Sequence, residues 1–546
     1  MKLKIGIITE SEILPKYDQE LIGWIQNNNE KYDLVLQINL SSNQKKKIGF
    51  NLIKNINSLS LRIIKRIENW YSRKMNLIED YNVKYFDSSK IKKVKYNVTH
   101  LNNFNRVCLL DEDIEKIKKF ELDIIIRCCG YILDGNILKV PKFGILSFHH
   151  GDNNNYRGGP PGFWEIYDKS NTSGFIIQKL DKNLDGGIKL LEGNFVSGIN
   201  YAHNENILLK NSIFYFQNLL EFISKYKKLP DIIKNKPYNK KIYKTPNILK
   251  LLIYIIKIYP KLIKKFFFKI LGNKKIWSVI YNNQSFMEDI NFNNFIKIKN
   301  YKNTFLADPF IHQLNNKKYL FAEEYDFNRS LGSIVVYEIR NKDYERLGTC
   351  LKENFHLSYP YIFKYENEIY MIPETAEIYE IRIYKCIQFP LKWKFHKTIK
   401  KNLQAVDSMI FYKNNFWWLL TNISYNRNSN FSHLDIFYSD NPLSDNWTSH
   451  KMNPIIFDVN RSRNGGIIID NNDVYRVNQS PSFTEYGSQL SINKLEQITP
   501  EIYEERLVKS IKPNFKDNLI GTHHFNSNGK IITLDYCENE LLNKLR

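Results

Sequence analysis

The second half of this 546-residue chain repeats itself five times, and that repeat restricts what it can fold into more than composition does. FLADPFIHQLNNKKYLFAEE (305–324), HLSYPYIFKYENEIYMIPET (356–375), AVDSMIFYKNNFWWLLTN (405–422), RNGGIIIDNNDVYRVNQ (463–479) and GTHHFNSNGKIITLDYC (521–537) share one plan. Each has a polar or acidic cluster, an apolar strand, an Asn-rich turn, and a second apolar strand ending in polar residues. The lead residues Asp308, Tyr359, Asp407, Asn464 and His523 lie 48 to 59 positions apart, room for one four-stranded blade per repeat. The pattern predicts an all-β five-bladed propeller over 277–546.

The first half reads differently. An apolar strand over 3–9, a helix end over 21–27 and a second strand over 34–38 make a β-α-β start, and buried strands follow at 123–126 and 143–148. Alternating strands and helices predict a parallel sheet, hence a Rossmann-like α/β domain over 1–227, with an amphipathic helical insertion at about 45–80. No GxGxxG follows the first strand, so no dinucleotide is implied. Between 228 and 276, Pro230, Pro237 and Pro246 mark a linker containing ILKLLIYIIKIYPKLIKKFFFKIL at 248–271. Its six lysines and Pro260 argue against a bilayer span. Two readings stay open: a basic helix lying on an anionic membrane surface, or one packed between the two domains.

The net charge of +22 brings no zinc finger, RNP motif or basic recognition helix with it, so nucleic acid is not an expected partner. Cys108, Cys128, Cys129, Cys350, Cys386 and Cys537 lack metal-ligand spacing, so no metal is expected and a reducing compartment is. With no signal-peptide pattern before the first strand, the expected location is cytoplasmic, with peripheral association at the inner face of the cytoplasmic membrane as the option left open.

The block 143–187 carries the chemistry. A strand delivers His149 and His150 into a Gly/Asp/Asn loop that closes on Arg157-Gly158-Gly159-Pro160-Pro161, and a second strand leads to Leu184-Asp185-Gly186-Gly187. A histidine at a strand end and an aspartate in a Gly turn are how an α/β protein places an acid/base pair at its carboxyl edge. The block resembles the 10-formyltetrahydrofolate-dependent formyltransferases, whose pattern is Asn-x-His, Arg-Gly-x-x-Pro and a distant Asp-x-Gly. Ser147 stands where the family has Asn; its hydroxyl also donates a hydrogen bond but reaches less far. The resemblance implies proton handling and oxyanion stabilisation by His149, orientation of that imidazole by Asp185, and oxyanion donation by Ser147. It also implies a pterin slot built of main chain at Cys129, Gly130, Tyr131, Ile132 and Leu133, with Asp181 beside the folate. His150 is a weak candidate for the acceptor, and Arg157 either binds an anion or holds its loop.

The second half resembles five-bladed glycosidases and, more closely, the propeller at the N-terminus of plant glucosamine inositolphosphorylceramide transferase. The matching residues include Ala307-Asp308-Pro309-Phe310, Ser358-Tyr359-Pro360, Pro373-Glu374, Asp407-Ser408, Arg463-Asn464-Gly465-Gly466 and Tyr475-Arg476 with Gln479. The resemblance implies sugar contacts from Asp308, Glu374, Asp407, Arg463 and Arg476. Hydrolysis would need two carboxyl groups at a fixed separation, and the second repeat offers Tyr359 in place of one. The combined expectation is formyl transfer from 10-formyltetrahydrofolate to an amino sugar carried by a nucleotide, lipid or surface glycan. The alternatives are a propeller-borne glycosyltransferase or glycoside hydrolase beside a degenerate formyltransferase domain, and a methionyl-tRNA formyltransferase-like activity.

Overall fold

A computed structural model of the chain describes residues 2–41, 52–78, 80–81, 87–101, 106–152, 154–182, 187–230, 242–424, 432–483 and 485–540. These form two compact units, 1–263 and 264–546. The division falls inside the linker helix rather than at the expected 227 and 277.

The first unit is built on one nine-stranded sheet. Its strands are β1 (Leu3–Thr9), β2 (Tyr32–Ser41), β3 (Lys92–His100), β4 (Arg106–Leu109), β5 (Ile124–Cys128), β6 (Ile132–Leu133), β7 (Ile145–His149), β8 (Thr172–Lys179) and β9 (Ile188–Val196). Their order is β6-β4-β3-β2-β1-β5-β7-β8-β9. The runs of Ile and Leu in β1, β5 and β7 are buried on both faces, as a central parallel strand requires. The sheet is mixed rather than wholly parallel: β8 and β9 run antiparallel, and β4 runs antiparallel to β3. The cause lies in 150–171, a loop with one short helix, which turns the chain back instead of crossing over.

The helices are α1 (Lys16–Asn27), α2 (Leu52–Lys74), α3 (Asp111–Lys118), α4 (Phe163–Tyr167), α5 (Tyr201–Tyr226) and α6 (Ile248–Ile270). The expected insertion is the single helix α2, whose Glu68 is buried. Its carboxylate accepts the Ala202 N–H at 3.0 Å in the first turn of α5 and the Tyr254 hydroxyl of α6 at 2.7 Å. The lysine-rich segment is helical throughout α6, and Leu251, Tyr254, Ile258 and Leu262 form its buried side. No helix among the described residues is long and apolar enough to cross a membrane.

Among the described residues the strands of the second unit are interrupted by no helix other than short 3-10 turns, the end of α6 lying before them and a helical residue, Glu540, after them. Three separate four-stranded antiparallel sheets begin with Thr304–Leu314, Ser358–Tyr365 and Gln404–Lys413. The remaining strands join in one larger sheet. In it, Asn464–Asp470 leads an antiparallel run ending at Tyr503–Ile511, and Phe525–Ser527 leads through Ile532–Asn539 to Lys275–Asn282. One parallel pair, Ile468 opposite Ser527, connects the two halves. The last described strand thus pairs with the first strand of the unit.

Candidate functional sites

In the first unit, β5 and β7 are parallel neighbours, with Ile125 opposite Ile145 and Ile126 opposite Leu146. Residues 129–133, which follow β5, and His149, which ends β7, therefore leave the sheet at the same edge. That edge flanks the point where strand order reverses about β1, where open α/β sheets bind ligands. Glu10, just past β1, accepts the Gly130 N–H. Ile132 and Leu133 pair with Arg106 and Val107 of β4.

Arg127 on β5 organises this edge. Its Nε donates to Ser147 Oγ at 2.9 Å and its Nη1 to the Tyr131 carbonyl at 3.1 Å. Ser147 is buried, and its own hydroxyl donates to the Phe148 carbonyl at 2.9 Å. The one proton of that hydroxyl is thus already directed at backbone, and the nearby N–H groups belong to Arg127. Opposite Ser147 on β8 stands buried Gln178, whose Oε1 accepts no hydrogen bond among the described residues. Asp18, in the first turn of α1, is buried too. Burial lifts its carboxyl to about 7, against hydrogen bonds from Cys128 and Tyr17 and the charge of Arg127.

His149 is half-buried with its ring over Gly151: a Cβ at Gly151 would stand 3.1 Å from His149 Nε2 and 2.6 Å from the Tyr156 carbonyl. His150 packs inward. Its Nε2 lies 3.0 Å from Ser212 Oγ, its ring stacks on Phe148 at 5.1 Å, and burial, with the nearby His149 and Arg127, pushes its pKa to about 3. These contacts make His150 a neutral packing group. Asp185 lies outside the described residues. Gly187 sits against Gln178, while Asp181 follows Lys179, which is opposite Leu146, and so leaves near the start of β7 rather than beside His149. Arg157 lies in a loop pinned by backbone: Tyr243 N donates to the Arg157 carbonyl at 2.7 Å, and Gly159 N to that of Tyr243 at 3.2 Å. Gly158 has a φ of +100°, and a side chain there would run into Tyr243. Trp164 packs on Tyr243 and donates to the Gly159 carbonyl at 3.2 Å.

The second unit gathers a separate cluster. The leading strands of its first three sheets carry the same bulge, the pairing jumping from Ala307 to Phe310, from Ser358 to Tyr361 and from Val406 to Met409. The residues in these bulges, Asp308, Tyr359 and Asp407, have φ near +50°. Such a conformation costs a non-glycine residue of order 1 kcal/mol or more, and a bulge re-aims the side chain it carries. Here the re-aimed groups bridge the sheets. Tyr359 N donates to Asp308 Oδ2 at 3.2 Å, and Asp308 N to Asp535 Oδ2 at 3.1 Å. Asp535 also accepts the N–H groups of His523 and His524, at 3.0 Å each, and its Oδ2 is 2.6 Å from His523 Nδ1. His523 stacks on Trp277 with 3.9 Å between ring centres. Arg463 Nε pairs with Asp407 Oδ2 at 2.6 Å, and Asn464 Nδ2 donates to the Asp407 carbonyl at 2.9 Å.

Burial dominates the electrostatics. It lifts Asp308 to about 7, with Asp535 and Asp407 adding and His523 opposing. Burial and Asp407 hold Glu374 at about 8 against Arg463, and burial together with Asp308 and Glu374 raises Glu323 well above the carboxylate range. Burial works against a charge on His523, yet Asp535 and Asp308 outweigh it and hold the imidazole at about 9. Burial likewise opposes the charge on Asp535, and His523 overcomes it. Near neutral pH the cluster therefore sets protonated acids beside an Asp535–His523 ion pair, a set able both to give and to take protons. Asp308, His523 and Asp535 bring potential ligand atoms within 4.8 Å of one another and could hold a metal ion. Arg476, by contrast, is committed to the fold. It is buried and bidentate to Glu505 at 2.8 and 2.7 Å, and its other donors face Arg461 O, Ser462 O and Asn464 Oδ1, leaving none for a sugar.

Sequence reasoning missed Arg127, Asp18, Gln178, Glu323 and Asp535. Arg127 had a legible signal, a cation inside the apolar run Ile124 to Cys128.

Residues 293–529 match the family described as glucosamine inositolphosphorylceramide transferase 1, N-terminal. Glucosamine inositolphosphorylceramide transferase 1 of Arabidopsis thaliana is 36% identical over 249 residues, 42% of this chain and 32% of that protein. The protein of the same name from Oryza sativa subsp. japonica is 38% identical over 216 residues, covering 38% and 28%. Methionyl-tRNA formyltransferase of Caldicellulosiruptor saccharolyticus is 32% identical over 99 residues, 18% of this chain and 30% of that one. The chain thus spans about a third, or less, of the length of each of these relatives.

Proposed function

We propose that the chain transfers a formyl group from 10-formyltetrahydrofolate to the amino group of an amino sugar in glycan or glycolipid biosynthesis. The observation that carries this reading is the parallel pairing of β5 and β7, which sends residues 129–133 and His149 off the same sheet edge. The residues there suit a folate. The edge offers main chain at Cys129 and Tyr131 and the acceptor Gln178 Oε1, with the His149 ring against Gly151. When bound, the folate supplies the formyl carbon. His149 takes the proton that the attacking amine must lose and returns one to the departing nitrogen. Arg127, held by Ser147 and the Tyr131 carbonyl, places positive charge where negative charge develops on oxygen, the role expected of Ser147 from sequence. Asp185 remains a candidate for orienting His149.

The second unit is proposed to hold the sugar. Its three four-stranded sheets, and the two halves of its larger sheet, are read as five blades with Asp308, Glu374, Asp407 and Arg463 around the sugar site. The likeness to proteins named for transfer to inositolphosphorylceramide supports a glycan or glycolipid acceptor. The test is a mass-spectrometric screen of nucleotide-linked and lipid-linked amino sugars with 10-formyltetrahydrofolate, in which the product gains one formyl group. No product from any acceptor would refute the reading. A second reading, glycosyl transfer or hydrolysis by the second unit, is favoured by the protonated acids Glu323 and Glu374 beside Asp407 and Asp308. It predicts consumption of a glycoside without any folate.

A further inference from the structure

The first unit carries two helices whose outward sides are apolar. In α2, Leu61, Ile64, Glu68 and Ser72 point inward. On the opposite side, at helical spacing, Ile56, Leu59, Ile63, Ile67 and Trp70 are 40–63% exposed. In α6 the inward residues are Leu251, Tyr254, Ile258 and Leu262, and Leu249, Leu252, Ile256 and Ile263 on the opposite side are 52–72% exposed. A surface helix of a soluble domain ordinarily turns charge outward, and here the charge sits on the flanks.

The two helices are clamped over one point. Glu68 of α2 accepts the Ala202 N–H, and Tyr254 of α6 accepts the Tyr201 N–H at 2.8 Å while donating to Glu68. Tyr71 of α2 donates to the Leu262 carbonyl of α6 at 2.9 Å. Glu68 and Tyr254 thus meet at the first turn of α5, and the outer side of each helix faces away from that point.

Their charge is of one sign. α6 contains no acidic residue, and the one acid of α2 is the buried Glu68. Arg62 and Arg66 flank the outer side of α2, and Lys250, Lys257 and Lys261 run along α6, the first two with their ammonium groups over the rings of Trp164 and Tyr167. We propose that the apolar outer sides of these two helices rest on an anionic lipid bilayer. Ile63, Ile67, Trp70 and Ile256 enter the headgroup boundary, and Arg62, Arg66 and Lys261 contact anionic headgroups. A tryptophan at the end of such a stripe suits the membrane interface, where its ring is half in and half out of the apolar layer. The inference is independent of the formyl-transfer reading.

The test is sedimentation of the full chain with phosphatidylcholine vesicles, with and without phosphatidylserine. Binding is expected only with phosphatidylserine, weakening as salt is added. Ile63→Ser combined with Ile256→Ser, both at exposed positions, should weaken partitioning by about a hundredfold, and leucine at both positions should restore it. Trp70 supplies a second readout: its emission should shift to the blue on vesicle addition, and the shift should vanish in Trp70→Phe. Binding that ignores phosphatidylserine, or survives the double serine variant, would overturn the proposal. So would absence of binding together with self-association that the serine variant abolishes, which would assign the face to a second copy of the chain.

Discussion

Glu68 offers the sharpest quantitative test of how the first unit is held together. Burial lifts its carboxyl from 4.5 to about 7, against hydrogen bonds from Tyr254 and the Ala202 and Tyr201 backbone. Because the folded-state pKa is raised, the folded chain keeps a proton that the unfolded chain has released. This carboxyl therefore favours folding at low pH, and the benefit is lost as pH rises from 4.5 through 7. Such a rise in pKa is worth about 3 kcal/mol when fully developed, and about 2.5 kcal/mol of it falls between about pH 5 and pH 8. Glu68→Gln mimics the protonated acid and cannot titrate. Hydrogen exchange of the amides at 200–206, corrected for intrinsic rates, reports opening of the α5 first turn in both proteins. Wild type should lose about 2.5 kcal/mol of protection relative to the variant across that interval. A wild-type-minus-variant difference that stays constant with pH would mean that the carboxyl ionises alike in the folded and unfolded states, contrary to this prediction.

Three further outcomes follow from particular contacts. Gly158→Ala forces a side chain into the left-handed region and against Tyr243, so it should destabilise the first unit by about 1–3 kcal/mol and expose 242–247 to protease, read by limited digestion. Arg476→Met strands buried Glu505 and should cost about 3–5 kcal/mol, seen as a lower midpoint for the second unit in calorimetry. His523 should titrate near 9 by NMR and fall sharply in Asp535→Asn; its raised pKa means that its stabilisation is complete below about 6.5 and is lost as pH rises through 9.

Much of the architecture could be read from the residues. The polar leads Asp308, Tyr359 and Asp407 stand out in apolar strands because each sits in a bulge that turns it away from the packed faces. The β-α-β start and the strand ending at His149 were legible because central parallel strands must be apolar on both sides. What stayed hidden depends on partners distant in sequence. Nothing local says that Asp535 will collect His523 and Asp308, or that Glu505 will neutralise an arginine 29 positions away. Arg476 looks like a surface sugar contact until that partner appears. The antiparallel β8 was missed because a β-strand reads alike in either direction. The role of α2 was missed because an amphipathic pattern shows a buried side but not that its glutamate caps α5.

Formyl transfer through His149 is proposed for the carboxyl edge of β5 and β7. Its most direct test is the rate at which labelled formyl moves from 10-formyltetrahydrofolate to an amino sugar, in wild type and in His149→Ala. Wild type should transfer the label, and the variant should lose at least about a hundredfold in rate with folate binding retained. Equal rates in the two proteins, or no transfer by wild type to any acceptor, would contradict it.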